Sequence, residues 1–372
     1  MKLTIVYLLL ACCVWSVHAQ DPYQKVYAKR EISRADKNGN DVLEKSEVNN
    51  RWEEFKAFDS DGDEVVSLEE YSKIDIPYLE TQGERKLNIK YKTTPEEDLY
   101  LDIYYPSKHP ENKTYPVVIY VHGGGWFNGS KENITKGLIK ETFLKLVEQG
   151  FVVVSVNYRL TRHKSIVMRD CVVDVMDAVR YLCKNNSNLR LDANRVYVFG
   201  DSAGGQLAQM LTLANPSKFQ GDSTLYNYKY NVMAGVSWYG PCDFEKVELF
   251  ETSDTTKNPD RFGPRILKPD TNPKDKLAMY REMSPINYLR TDSPPLLMIQ
   301  GDKDTTIPVK HAYFMKEKAE AIHAPVEIFI IKNAGHNWRK VDAPIEPSAE
   351  VIVQRTVSFF CDHLNKDLNQ SK

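Results

Sequence analysis

The chain has 372 residues, with 49 Lys and Arg against 51 Asp and Glu, which leaves a formal net charge of −2. This balance provides no electrostatic basis for binding nucleic acid or an anionic membrane surface, and we expect neither as a partner. The length and the hydrophobic content of 42% are typical of a globular protein with one large and one small domain.

The N-terminus has the pattern of a secretory signal peptide. Lys2 precedes a short apolar run, and Val17-His18-Ala19 offers the small residues of a cleavage site. The run is too short for a transmembrane helix, which needs about 18 apolar residues or more. We therefore expect residues 1–19 to be removed and the protein to be secreted. Glycosylation sequons agree with an extracellular glycoprotein and occur at Asn112, Asn128, Asn133, Asn185 and Asn369.

Residues 24–80 form an acidic stretch in which one spacing of oxygen ligands occurs twice. Each copy resembles the loop of a calcium-binding EF-hand, with oxygen-bearing residues at positions 1, 3, 5, 9 and 12 and a carbonyl at position 7. We expect Ca²⁺ as a structural cofactor in this pair. Its predicted ligands are Asp36, Asn38, Asn40, Val42 and Glu47 in the first loop, and Asp59, Asp61, Asp63, Val65 and Glu70 in the second.

Both loops depart from the EF-hand pattern at position 6, where Asp41 and Glu64 replace glycine. A side chain in the left-handed conformation costs about 1 kcal/mol, so calcium binding should be weakened and not abolished. The loops are close together in sequence. A single helix carrying Trp52, Phe55 and Phe58 is therefore predicted to serve both.

A break at residues 81–84 precedes an alternation of strand-like and helix-like segments over residues 85–366. This alternation predicts the α/β class, with a mostly parallel sheet covered by helices on both faces. Residues 243–294 contain no clear strand and are interpreted as a short insertion over the carboxyl edge of the sheet. The predicted strands are 87–92, 99–105, 116–121, 151–158, 196–199, 232–239, 295–299 and 326–331, and the predicted helices are 138–149, 168–184, 207–214, 311–322 and 349–364.

A glycine-rich loop, HGGGW at residues 122–126, follows the predicted strand 116–121. Glycines allow backbone N–H groups to approach a substrate oxygen without a β-carbon between them. The tetrahedral intermediate of acyl transfer needs such donors for its oxyanion. We assign this role to Gly124 and Gly125, together with Ala203, and interpret His122 as a structural hydrogen-bonding residue.

The candidate nucleophile lies in Gly200-Asp201-Ser202-Ala203-Gly204, which matches G-x-S-x-G. The motif is short, and its context gives it meaning: a predicted strand ends just before it, and a helix is predicted to start at about Ala203. Ser202 would then lie on a tight strand-to-helix turn that exposes its hydroxyl group.

A serine hydroxyl needs a base to take its proton and a carboxylate to orient that base. His336 follows the last predicted strand, at the same sheet edge as Ser202, and completes the chain order serine, acid, histidine. Two acids follow the preceding strand. Asp304 is further out on its loop and is the predicted partner, with Asp302 as the alternative. No metal is expected in the catalysis, because the acidic loops precede the break.

Four cysteines remain beyond the signal segment: Cys171, Cys183, Cys242 and Cys361. The first two share a predicted helix and lie about 18 Å apart along it, whereas a disulfide needs α-carbons within about 7 Å. They should not pair with each other. Free buried thiols and some other disulfide both remain open.

HGGGW, GDSAGG, QGDKD and NAGH, in this order, together resemble the carboxylesterase branch of the α/β-hydrolases. The similarity is greatest to feruloyl and acetyl-xylan esterase-like members, and also extends to hormone-sensitive-lipase-like members. It covers roughly residues 87–364 and implies the triad Ser202, Asp304 and His336. One departure is Gln300, because the acid motif of the family usually begins His-Gly.

The leading hypothesis is a secreted serine esterase that cleaves a small or short-acyl ester through an acyl-enzyme. The alternative is a calcium-binding extracellular interaction protein that uses the hydrolase fold as a scaffold. Scaffolds of that kind usually lack a triad member, and here all three are present. Peptidase activity is disfavoured, because nothing in the chain resembles the extra domain of oligopeptidases with this fold.

Overall fold

The structure, a computed structural model, describes residues 22–108, 110 and 113–370. The predicted signal peptide and the sequon residue Asn112 lie outside the described residues. The strands are β1 (Leu43–Glu44), β2 (Val65–Val66), β3 (Arg85–Thr93), β4 (Asp98–Tyr104), β5 (Tyr115–Val121), β6 (Val152–Val156), β7 (Leu191–Asp201), β8 (Val232–Trp238), β9 (Leu296–Gly301) and β10 (Val326–Ile331).

Five of the α-helices in the described part of the chain are short, with only four or eight residues. They lie in the N-terminal region and in the predicted insertion. The α-helices of the described residues are α1 (Pro22–Ile32), α2 (Lys45–Val48), α3 (Trp52–Phe55), α4 (Leu68–Tyr71), α5 (Gly137–Glu148), α6 (Met168–Lys184), α7 (Ala203–Leu213), α8 (Gly263–Ile266), α9 (Lys276–Met283), α10 (Lys310–Ala321) and α11 (Ala349–Gln370). Short 3₁₀ segments occur at Asn49–Arg51, Lys131–Thr135, Pro216–Lys218, Val247–Phe250, Pro285–Tyr288 and His336–Trp338.

Eight strands form one sheet in the order β10-β9-β8-β7-β5-β6-β4-β3. The six strands β5 to β10 are parallel to one another, and β4 pairs antiparallel with both β6 and β3. The predicted α/β class with a mostly parallel sheet is therefore confirmed. Because β5, β7, β9 and β10 all point the same way, the loops that follow them meet at one carboxyl edge.

The sheet separates two apolar cores, because successive strand residues point to opposite faces. In β5, Val117 and Ile119 pack into one core with α6 and α7. Val118 and Tyr120 pack into the other core with α5 and α11. Helices on both faces bury the inner strands β6 and β9 along their whole length, which is why these strands are nearly continuous apolar runs in the sequence.

The interval 243–294 holds α8, α9 and two 3₁₀ segments, and it packs on loops at the carboxyl edge of the sheet. Phe262 packs on Trp126 of the glycine-rich loop, with ring centroids 5.4 Å apart. Arg261 donates a hydrogen bond of 2.7 Å to the carbonyl oxygen of Thr306, in the loop after β9. The interval thus covers two of the loops that carry candidate site residues.

The N-terminal module, residues 22–80, has a small core of its own around Trp52 and Phe55. Its two acidic loops are joined by the antiparallel pair β1 and β2, in which Leu43 faces Val66. The single helix expected between the loops is interrupted: α2 ends at Val48, and Asn49 has a φ of +46° before a 3₁₀ turn and α3 follow. A positive φ is incompatible with a continuous α-helix.

All four cysteines of the described part of the chain are free thiols: Cys171, Cys183, Cys242 and Cys361. The first two lie on α6, where the helix separates them as the spacing predicts. No helix among the described residues is long and apolar enough to span a membrane.

Two buried histidines make the stability of the large domain, residues 85–370, sensitive to acid. Burial lowers the pKa of His122 and of His311 to about 3, against an ordinary value of 6.5. Both imidazoles stay neutral in the folded protein, whereas in the unfolded chain they take up protons below about pH 6.5. The contribution of each neutral histidine to the free energy of unfolding is therefore fully present above that pH. We expect each contribution to fall by about 2 kcal/mol between pH 7 and pH 5.

A variant at His311 tests this prediction. Its Nδ1 accepts a hydrogen bond of 3.3 Å from the N–H of Cys242, and the side-chain oxygen of asparagine can take that place without titrating. In urea unfolding at pH 7, 6 and 5, His311→Asn should lose stability less steeply than the wild type. The exposed residue His323 provides the control, as His323→Asn. Equal slopes for His311→Asn and the wild type would contradict the prediction.

Candidate active site

Ser202 lies between the end of β7 and the start of α7, on the tight turn that the motif predicts. Its φ of 54° and ψ of −117° are unfavourable for a residue with a side chain and cost of order 1–3 kcal/mol. The turn is held by the Ser202 N–H, which donates to the Trp238 carbonyl oxygen at 2.8 Å. Glycine is required at Gly200, because a β-carbon there would overlap the carbonyl oxygen of Gly204.

His336 contacts Ser202 on one side and Asp304 on the other. Its Nε2 lies 3.0 Å from the Ser202 Oγ, and its Nδ1 lies 2.7 Å from the Asp304 Oδ2. These contacts place a proton on Nδ1 and leave Nε2 able to accept the serine proton. The arrangement joins three loops at the carboxyl edge of the sheet into a nucleophile, a base and an orienting acid.

Asp304, and not Asp302, is the carboxylate that contacts the imidazole. Its Oδ1 accepts hydrogen bonds from the N–H groups of Thr306 and Ile307, at 2.8 and 2.9 Å. This leaves the Oδ2 directed at His336. The side chain is only 4% exposed, so the acid is held rigidly.

Gln300 is a second contact of this carboxylate. Its Nε2 lies 3.2 Å from the Asp304 Oδ2 and 2.7 Å from the Ile307 carbonyl oxygen. The departure from the family pattern, glutamine in place of histidine, therefore lies against the acid and orients it. The sequence motif marked the position but did not indicate this contact.

The glycine-rich loop turns sharply at Gly124, whose carbonyl oxygen accepts from Phe127 and Asn128. Gly124 and Gly125 have φ values of +124° and +64°. Within the described residues, neither N–H of these glycines, nor that of Ala203, is engaged by a protein acceptor. Free backbone donors on this loop and at the start of α7 are what an oxyanion hole requires.

Asp201 fixes the start of this loop against the nucleophile turn. Its Oδ1 accepts from the Gly123 N–H at 2.9 Å and from the Tyr120 hydroxyl at 2.8 Å. Burial raises the pKa of Asp201 above its ordinary value. His122 contributes structurally, as expected: its Nδ1 lies 2.8 Å from the Gly123 carbonyl oxygen, and its low pKa keeps it neutral and unsuited to act as a base.

A cavity of about 620 Å³ opens beside these loops. Its wall includes Gly124, Asp201, Tyr239 and Trp338, and Leu138 contributes apolar surface from α5. Trp338 is largely buried and has a φ of +60°, a strained conformation for so large a residue. Its indole Nε1 has no hydrogen-bond partner among the described residues.

Known proteins share this fold over most of the chain. A truncated carbohydrate esterase from gut microbiota superposes with a TM-score of 0.62 at 23% identity, over 78% of this chain and 99% of that one. The native form of esterase 2 from Thermogutta terrifontis gives 0.59 at 19% identity, over 77% of this chain and 92% of that one. At these identities the similarity establishes the α/β-hydrolase fold alone.

Two curated relatives are esterases. Esterase LipC of Mycobacterium tuberculosis is 29% identical over 68% of this chain and 60% of its own length. Isoprenylcysteine alpha-carbonyl methylesterase ICME of Arabidopsis thaliana is 24% identical over 72% of this chain and 61% of its own length. The chain thus spans about 60% of the length of these relatives.

The model of one protein family, described as BD-FAE, matches residues 101–319. The match is more than half of the chain and includes the glycine-rich loop, Ser202 and Asp304, while His336 lies beyond it. This protein, with its α/β-hydrolase fold, belongs to the BD-FAE family.

Proposed function

We propose that this protein is a serine carboxylic-ester hydrolase that acts on a small or short-acyl ester through an acyl-enzyme. One observation carries the proposal: the Nε2 of His336 lies 3.0 Å from the Ser202 Oγ, while its Nδ1 lies 2.7 Å from the Asp304 Oδ2. This geometry activates a hydroxyl group for attack on a carbonyl carbon. The esterase relatives support the same class of reaction.

The mechanism follows from the positions of these groups. Ser202 attacks the ester carbonyl while the Nε2 of His336 takes its proton, and Asp304 stabilises the imidazolium that forms. Negative charge develops on the carbonyl oxygen, which accepts hydrogen bonds from backbone N–H groups of the oxyanion hole. The imidazolium returns the proton to the leaving alcohol. Water then cleaves the acyl-enzyme by the same steps and restores the serine.

The cavity beside the triad is the proposed place for one half of the ester. Its apolar wall, which includes Leu138 and the Trp338 side chain, suits a small hydrocarbon group. The proposal is tested by the hydrolysis of nitrophenyl esters with acyl chains of increasing length. Acetate and butyrate esters should be cleaved more efficiently than long-chain esters. Efficient cleavage of long-chain esters alone would contradict a short-acyl preference.

We further propose that the two acidic loops of the N-terminal module bind Ca²⁺. The carboxylate oxygens of Asp59, Asp61 and Asp63 come within 4.8 Å of one another, as ligands of one ion must. Asp41 and Glu64, at position 6, have φ values of +62° and +64°. The chain therefore makes the sharp turn of an EF-hand loop without the glycine that usually provides it.

The last ligand position supports the same proposal. The Glu70 carboxylate reaches back over its loop, with Oε1 2.8 Å from the Ser60 N–H and Oε2 2.9 Å from the Ser67 N–H. Glu47 does the same in the first loop, with Oε1 2.7 Å from the Lys37 N–H. In both loops the final carboxylate therefore folds back onto the backbone near the start of its own loop, as the last glutamate of an EF-hand loop must do to reach a shared ion. Hard oxygen ligands of this kind suit Ca²⁺.

Calcium is expected to raise the melting temperature of the module. A ligand that binds only the folded form stabilises it by RT ln(1 + [L]/Kd), or about 1.4 kcal/mol at tenfold excess over Kd. Extracellular calcium modules have Kd values of about 10⁻⁴ to 10⁻³ M, so calorimetry in 10 mM calcium and in chelator should show the shift. Glu70→Gln should remove most of it, whereas Glu69→Gln, in the same helix, should not. An equal shift in Glu70→Gln would contradict the assigned ligand.

We also propose that the protein acts outside the cell. The N-terminal pattern of residues 1–19 and the sequons on the large domain support this location. Extracellular calcium is in the millimolar range that weak loops of this kind require.

A further inference from the structure

Arg30 lies on α1 of the N-terminal module, yet its guanidinium group is buried within the large domain. The residue is only 1% exposed. Its Nε donates to Glu97 at 3.0 Å, and its Nη2 donates to the Tyr158 carbonyl oxygen at 2.9 Å. Its Nη1 donates to Asn157 at 3.1 Å and to the Gly129 carbonyl oxygen at 3.3 Å. The planar fork of N–H donors thus joins segments that are far apart in the sequence.

Gly129 is the end of the loop that begins at His122. With a φ of +99°, its α-carbon lies so close to the His122 ring and to the Gly123 carbonyl group that a β-carbon would overlap both. The loop is therefore closed on itself, and the two glycine donors proposed for the oxyanion lie between its ends. The hydrogen bond from Arg30 to Gly129 holds one of these ends.

Tyr158 contacts the other end. Its hydroxyl group donates to the His122 carbonyl oxygen at 2.8 Å. Its ring stacks on the His122 imidazole, with centroids 4.3 Å apart. Because the carbonyl oxygen of Tyr158 accepts from Arg30, the guanidinium group holds both ends of the loop, one directly and the other through Tyr158.

The helix that carries Arg30 is fixed from two sides. Ala28 and Ile32 pack in the core of the N-terminal module. Tyr23 is buried against the large domain, where its hydroxyl group donates to the Glu132 carboxylate at 3.0 Å. The position of the guanidinium group is therefore determined by the module as a whole, and α1 leads directly into the first acidic loop at Asp36.

We propose that Arg30 is a positioning residue for the oxyanion hole. It holds the loop of residues 122–129 in the shape that directs the N–H groups at the reacting carbonyl oxygen. This inference rests on the proposed ester hydrolysis and gives the N-terminal module a part in it. Because oxyanion donors act on the transition state, their displacement lowers kcat and leaves KM nearly unchanged. A misplacement of about 1 Å can reduce a rate by about 10²-fold.

The test compares Arg30→Ala with the wild type, both full-length, on nitrophenyl acetate and with a trifluoromethyl ketone inhibitor. The ketone carbon bonds to the Ser202 Oγ, the serine proton passes to His336, and the ketone oxygen becomes the oxyanion. We expect kcat to fall roughly 10- to 100-fold, KM to change little, and ketone affinity to fall as kcat does. Arg34→Ala is the matched control, because Arg34 is exposed and pairs with Glu31.

Tyr158→Phe tests the indirect connection from Arg30 through Tyr158 to His122 without removing a buried charge. It breaks only the hydroxyl contact to His122, so we expect a several-fold lower kcat and ketone affinity at a melting temperature near that of the wild type. Variants that melt earlier but keep the wild-type kcat and ketone affinity would overturn the proposal and leave Arg30 a structural residue. A wild type that neither cleaves the ester nor binds the ketone would refute the proposed function instead.

Discussion

Replacing Ser202 with alanine should lower kcat for nitrophenyl acetate by roughly 10⁴-fold or more, because the Ser202 Oγ is the hydroxyl group that contacts the His336 Nε2. The remaining rate would come from substrate binding and from the oxyanion donors, which the substitution leaves in place. Steady-state hydrolysis by purified wild type and variant measures this effect, with circular dichroism to show that both are folded.

A nearby hydroxyl group provides the control for Ser202→Ala. Ser237 is buried beneath the site on β8 and accepts a hydrogen bond of 3.0 Å from Gln209. It has no contact with His336, so Ser237→Ala should keep most of the activity. Equal rates for Ser202→Ala and the wild type would refute the serine mechanism and the esterase proposal with it.

Asp304→Asn is the second change with a large expected effect. The amide would offer an N–H group to His336 and favour the tautomer with its proton on Nε2, where it cannot accept the serine proton. In a serine protease the corresponding change lowers kcat by about 10⁴-fold, and we expect a loss of the same order here. KM should change little, because Asp304 is buried behind the imidazole.

Asp302→Asn is the matched control, two residues away on the same loop. Its side chain does not contact His336, and its backbone N–H pairs with the Ile331 carbonyl oxygen whatever the side chain. We therefore expect it to keep nearly wild-type kcat. A larger loss in Asp302→Asn than in Asp304→Asn would reverse the assignment of the acid.

The fold class could be predicted because its signals are local. Apolar runs bounded by turn residues predicted β6 close to its observed limits, and α6 and β10 have the predicted boundaries. Conformations that depend on single backbone angles were harder to predict from the sequence. The interruption at Asn49 has no counterpart in the helical pattern of apolar residues, since asparagine is also common within helices at modest cost.

The candidate triad could be predicted from the sequence for a different reason. Strands of a parallel sheet end at one edge, so motifs that follow strands must meet there, and chain order then distinguishes Ser202, Asp304 and His336 from other residues of the same types. The geometry of the loops was harder to predict from the sequence. Which of two aspartates on one loop contacts the imidazole depends on the path of the backbone, and the structure places Asp304 there.

The sequence by itself determined the class of fold, the order of the motifs and the residue types that acyl transfer requires, because each of these depends on a few consecutive residues. Only the tertiary structure decided which side chains from other segments surround and support the site. The cavity lined by Leu138 and Trp338 and the hydrogen bond from Arg30 to Gly129, at the end of the glycine-rich loop, bring together segments that are distant in the sequence. No local pattern encodes such contacts, because they arise when separate elements pack together and bury their polar groups in pairs.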